Sequence, residues 1–150
     1  MITNQKNIVT VINAFHDGSI IFHKKEDSNQ IWKISCPYLA EVIDPSFSFF
    51  WLSISECASL QFRPWLNSIN APEELWTNTK DIFESELDII SASIKNENIA
   101  IICDQHDSHF EYSGGELLLN CKGVELFDQR KRKIRFSELR ELFYLYWDNI

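Results

Sequence analysis

SIIFHKKEDSNQIWKISC, residues 19–36, and DIISASIKNENIAIIC, residues 88–103, are written to one plan. Each holds two runs of alternating apolar and polar residues around a polar centre, Glu26-Asp27-Ser28-Asn29 in the first and Asn96-Glu97-Asn98 in the second. Alternation with a period of two sends successive side chains to opposite faces of a strand, and a short polar break between two such runs makes a hairpin. In the first, Trp32, Ile34 and Cys36 share one face, with Lys33 and Ser35 on the other.

The likeness extends downstream. Residues 48–55 put Phe50, Leu52 and Ile54 inward and Phe49 and Trp51 on the opposite face, and Leu60 and Phe62 continue against Gln61 and Arg63. In the second half Gly114-Gly115 precedes a strand carrying Leu117, Leu119 and Cys121, after which Val124 and Leu126 take the places of Leu60 and Phe62. SECASLQF (55–62) thus matches LNCKGVELF (119–127). A lone four-stranded meander leaves one apolar face wet, so two such units are expected to pack together. The expected fold is mainly β (α+β), with two similar antiparallel meanders, roughly 19–63 and 87–127, forming a sandwich or a partly open barrel in one domain, 1–150.

Two helices complete the expectation. Between the halves, Asn70 can cap a short helix whose first turn holds Pro72, Glu73 and Glu74, residues suited to the positive end of a helix. Near the end, Ser137 reads as an N-cap before Glu138 and Glu141, with an apolar stripe at Leu139, Leu142, Phe143 and Tyr146.

The 150 residues are 45% hydrophobic and 13% aromatic, enough to bury a substantial core. With 22 acidic and 14 basic residues the formal charge is −8, which repels phosphate backbones and favours basic partners, so nucleic acid is not the expected ligand. The charge is uneven. Residues 66–120 hold eleven acidic and two basic residues, a balance of −9, whereas 121–150 hold seven basic and five acidic. No secretion-signal pattern opens the chain and no apolar run reaches the ~18 residues of a spanning helix, so a cytoplasmic protein without a membrane partner is expected. Cys36, Cys57, Cys103 and Cys121 lack metal or redox spacing and read as reduced, buried thiols. Arg130-Lys131-Arg132-Lys133, after Asp128-Gln129, reads as the tip of a turn.

Few residues carry chemistry. His106, Asp107 and His109 with the pair His16-Asp17 could hold a divalent metal or move protons, which makes a small metal-dependent hydrolase one alternative and a small-ligand β-barrel another. In a strand, His106 and His109 would face opposite sides, and neither spacing is a metal motif. No nucleophile elbow or phosphate loop occurs. The chain therefore reads as non-enzymatic and free of cofactors. What stands out is the acidic stretch Glu73, Glu74, Asp81, Glu84, Glu86 and Asp88 around Trp76, a set suited to steering and anchoring a basic protein.

FHDG at 15–18, CPYLAEVIDPSFSFFWLSI at 36–54 and the tail FSELRELFYLYW at 136–147 resemble small bacterial proteins that begin with an FHD-type turn and end in an aromatic helix. Some of these are immunity proteins of polymorphic or contact-dependent toxins. The resemblance implies a cytoplasmic, acidic, non-enzymatic inhibitor of one basic toxin domain of nuclease type, and brings no binding residues with it.

Overall fold

A computed structural model describes residues 1–148. The chain runs α1 (Gln5–Ala14), β1 (Ser19–Glu26), β2 (Asn29–Ser35), α2 (Pro37–Ile43), β3 (Phe49–Ser55), β4 (Ser59–Leu66), α3 (Thr79–Ile82), β5 (Leu87–Lys95), β6 (Asn98–Asp104), β7 (Tyr112–Asn120), β8 (Gly123–Phe127), β9 (Lys133–Ile134) and α4 (Phe136–Asp148). All strand pairs are antiparallel, in one open sheet of order β4-β7-β6-β5-β1-β2-β3-β8-β9.

The two hairpins form where the alternation puts them. Asn96 and Glu97 both take positive φ, 48° and 68°, as a tight hairpin turn matched to strand twist requires. The repeat shows in a shared defect: each hairpin's first strand carries a bulge at the same place, between Ile20 and Phe22 in β1 and between Ile89 and Ser91 in β5. At the junction Ser19 pairs with Asp88, its counterpart in the other repeat, so a local two-fold relates the halves there.

Each repeat gives its fourth strand away. β4 pairs with β7 of the second half, and β8 with β3 of the first. In a flat sheet β3 and β4 would stand six strand spacings, ~29 Å, apart. The link from Ser55 to Ser59 spans at most ~14 Å. β7 and β8, joined through residues 121–122, face the same mismatch. The sheet must therefore curl until its two ends meet, and the links run side by side there: Ala58 N–H donates to Asn120 O at 2.8 Å and Lys122 N–H to Ser55 O at 3.0 Å.

The curled sheet encloses one buried cluster. Trp32, Phe50, Leu52 and Ile54 meet Phe62, Ile101, Leu117, Leu119 and Leu126, all buried. Fully burying such side chains is worth about 1.5–3 kcal/mol each.

Helices close the open parts. α1 is capped by Asn4, whose side chain accepts from Asn7 N–H, and it buries Ile8, Val11 and Ile12, with Phe15 just beyond its end. Asn13 ties it to β5 by donating to Ala92 O at 3.1 Å and accepting from Ala92 N–H at 2.7 Å. Both α1 and α2 lie where no helix was expected. The central helix is α3, capped by Asn78, and not a helix begun at Asn70: residues 70–78 are irregular apart from one bridge at Trp76. That bridge, with Phe62 and Trp76 exchanging N–H···O bonds of 2.9 and 2.7 Å, covers the free edge of β4. α4 begins at Phe136, one residue before the expected cap, and the Glu138 carboxylate accepts from Arg135 N–H at 3.3 Å in place of a Ser137 cap. Cys36 and Cys103 are buried as expected, but Cys57 and Cys121 are only half-buried; all four are free thiols.

Candidate functional site

Glu74, Glu84, Glu86, Asp88, Asp104 and Asp107 flank loop 105–111 at one end of the sheet. Two interior anchors hold that loop. Gln105 is buried and its amide donates to Tyr112 O (2.7 Å) and Asp107 O (3.1 Å), while its oxygen accepts from Asp107 N–H. Tyr112 OH meets Ser85 Oγ at 2.7 Å, fixing segment 83–86 beside the loop, and burial pushes the phenol above its ordinary range.

On one side Glu84, Glu86, Asp88, His106 and Asp107 line an open cleft of about 270 Å³. Asp88 is held from two sides: its Oδ1 accepts from Ser19 Oγ at 2.5 Å and its Oδ2 lies 3.3 Å from His106 Nε2. His106 also lies 4.0 Å from Asp104. On the other side Glu74 lines a wider cleft with Leu66, Phe110 and Glu111. Glu73 and Asp81 are exposed, Asp81 on α3. Trp76 is half-buried, its ring 5.6 Å from Phe62 and 5.1 Å from Tyr112, with the exposed Leu75 next to it.

Charge is the dominant property here. Among the described residues no lysine or arginine pairs with Glu73, Glu74, Asp81, Glu84, Glu86, Asp88, Asp104 or Asp107, while Glu116 nearby takes both Arg63 and Lys95. Lys80, next to Asp81 on α3, makes no ion pair with these carboxylates, so among the described residues the negative charge of this end is not neutralised by direct lysine or arginine pairing.

The histidine pairs stay apart. His109 Nδ1 (2.7 Å) and N–H (2.9 Å) both reach Asp107 Oδ1, an Asx-type turn, and the backbone bond first, then the ring, holds the Asp107 carboxyl below its ordinary range. His16 Nδ1 lies 2.6 Å from Ile90 O and its Nε2 3.4 Å from Asp17. Among the described residues no group of three or more His, Cys, Asp and Glu side chains is set to hold a metal ion. Nor does Ser19-Asp88-His106 form a nucleophile: the hydroxyl donates straight to the carboxylate, and no imidazole stands ready to take its proton.

One surface was only half legible. On the outer face of β1, β2, β3 and β8, Phe22, Ile31, Trp51, Phe127, Lys24 and Lys131 line a trough of about 490 Å³. Lys33 and Lys131 stand 5.6 and 5.2 Å from the Trp51 ring, within cation–π range. Alternation turns Trp51 outward, but Phe22 reaches this face through the β1 bulge, which no sequence pattern marks. Asp128 underlies the adjoining turn, buried, accepting from Arg130 and Arg132 N–H at 2.9 Å.

No protein-family model matches the chain, and no curated protein or solved structure matches it either. No described helix is long and apolar enough to cross a membrane.

Proposed function

We propose that this chain is a non-catalytic binding protein that captures a basic protein domain on the acidic end around loop 105–111. In the role implied by the resemblance, it is a cytoplasmic immunity protein and the domain is a toxin of nuclease type. One observation carries the reading: eight carboxylates, six of them flanking loop 105–111, have no lysine or arginine partner within the described chain. Charges left unpaired in a monomer are free to pair across an interface, and before contact they speed the encounter. Glu84, Glu86 and Asp88, held by the Ser85–Tyr112 and Ser19–Asp88 bonds, present a rigid rim. Glu73, Glu74 and Asp81 extend it, and Leu75 with the exposed part of Trp76 adds apolar contact.

The test is binding kinetics against the toxin domain encoded by the neighbouring gene, at low and high salt, together with protection of cells that make the toxin. Glu84→Lys with Glu86→Lys is expected to lower the association rate about tenfold at low salt, and much less at high salt. A wild-type protein that neither binds nor protects ends the immunity reading. Protection unaltered by the two reversals would move the interface elsewhere.

A further inference from the structure

The place where the sheet's two ends meet holds a second chemical feature, independent of the acidic end. We infer that Cys57 and Cys121 form an oxidisable dithiol site, which a low-molecular-weight disulfide of the glutathione class converts to an intramolecular disulfide across the strand exchange.

The two thiols sit on links that run side by side where the sheet's ends meet. The β3–β8 ladder ends at Ser55 and Gly123, and beyond it Glu56 turns to φ +46°, so that residues 56–57 bulge from the register and Cys57 N–H donates to Ser28 O at 2.7 Å. The β4–β7 ladder, running in from the other side, pairs Ser59 with Asn120, and its next step sets Ala58, the neighbour of Cys57, against Cys121. The backbone bonds Ala58 N–H to Asn120 O and Lys122 N–H to Ser55 O bracket the pair. Cys57 and Cys121 thus lie one residue out of register on adjoining chains, and the bond forms when their Cα atoms come within the ~4.4–6.8 Å that disulfides use.

Exposure separates this pair from the other two thiols. Cys36 and Cys103 have no accessible surface and are shut away from any reagent, whereas Cys57 and Cys121 are both partly exposed. A Cys57 charge is also felt at Cys121, where burial first and that charge second push the thiol up to about 11. Burial raises Cys57 as well, but the Lys25 ammonium opposes it. Cys57 is thus the attacking thiol and Cys121 the resolving one.

The steps balance. Cys57 thiolate attacks one sulfur of the small disulfide, forming a mixed disulfide and expelling one small thiolate, which takes up a proton. Cys121, losing its own proton, attacks the Cys57 sulfur and expels the second small thiol. Two protein thiols lose two hydrogens and two electrons, and one small disulfide becomes two thiols. The new bond pins both crossing links at once and closes a loop from residue 57 to residue 121, so it restricts the unfolded chain strongly.

The experiment treats the folded protein with glutathione disulfide, quenches with an alkylating reagent, and reads intact mass, non-reducing peptide maps and thermal melting. The expected product has lost two hydrogens, links the peptides of Cys57 and Cys121, keeps Cys36 and Cys103 as thiols, and melts about 10 °C higher. Cys121→Ser should instead stop at the mixed disulfide on Cys57, with no rise in melting temperature. The inference is overturned by a stable mixed disulfide on the wild-type protein, by disulfide-linked dimers, by linkage to Cys36 or Cys103, or by four thiols still present after treatment.

Discussion

Gly114 shows how one residue's conformation is fixed by its neighbours. It lies inside β7, opposite Asp104, with φ at +140°, and a Cβ there would run into the carbonyl oxygen of Cys103. Gly115, next to it, has no room either, because the Phe62 ring of β4 lies over it. From the sequence the pair reads as punctuation ahead of a strand, since adjacent glycines usually mark turns. Their real cause is close approach: β7 is squeezed between β4 and β6, and a bulky ring needs a gap in its neighbour. Gly114→Ala combines a backbone strain of about 1–3 kcal/mol with a backbone clash, so a loss of about 3 kcal/mol is expected in urea denaturation. A loss below ~1 kcal/mol would show that β7 shifts to admit the methyl group.

At the scale of elements, strands were easier to read than helices. Strand faces follow from a period of two, and every residue assigned inward on β2, β3 and β4 is buried: Trp32, Ile34, Phe50, Leu52, Ile54, Leu60 and Phe62. α1 does carry helical spacing in Ile8, Val11, Ile12 and Phe15 behind the Asn4 cap, but Asn13 breaks the apolar run in the sequence, whereas in the fold it bonds the Ala92 backbone far along the chain. α2 hides behind Pro37 and Pro45, which read as loop residues although Pro37 opens the helix. The acidic cluster was legible as charge, and its gathering around loop 105–111 was not, because Gln105 and Tyr112 organise it through buried bonds.

α4 also carries a pH dependence. Arg135 N–H first, then the Arg132 guanidinium, hold the Glu138 carboxyl below its ordinary range. A depressed folded value means that the ionised group stabilises the fold above the unfolded carboxylate value, ~4.3, and that this is lost as pH falls through the folded value. Glu138→Gln should therefore lower the urea midpoint near neutral pH, with the difference from wild type shrinking steadily in acid. A difference that stays constant from about pH 7 to 3 would sever the cap from the charge.

For the whole molecule the decisive fact is the exchange of β4 and β8. The repeat in the sequence announces two units, but a three-residue link after β3 is compatible both with a hairpin inside one unit and with a crossing into the other. What selects the crossing is pairing between strands distant in the chain, a non-local choice that alternation does not encode. Its consequence is thermodynamic. Without the second half β3 lacks β8, β4 lacks β7, and the apolar faces around Trp32, Phe50 and Phe62 stand open, so the halves are expected to fold only together. Urea unfolding should then give one transition, coincident in far-ultraviolet circular dichroism and tryptophan fluorescence. The fragment 1–66 should lack a cooperative transition by itself and gain one when mixed with 67–150, which restores both missing ladders. A cooperative transition in 1–66 alone, or two separated transitions in the intact chain, would mean that each repeat has a core of its own and that the exchange of strands only joins two structures already formed.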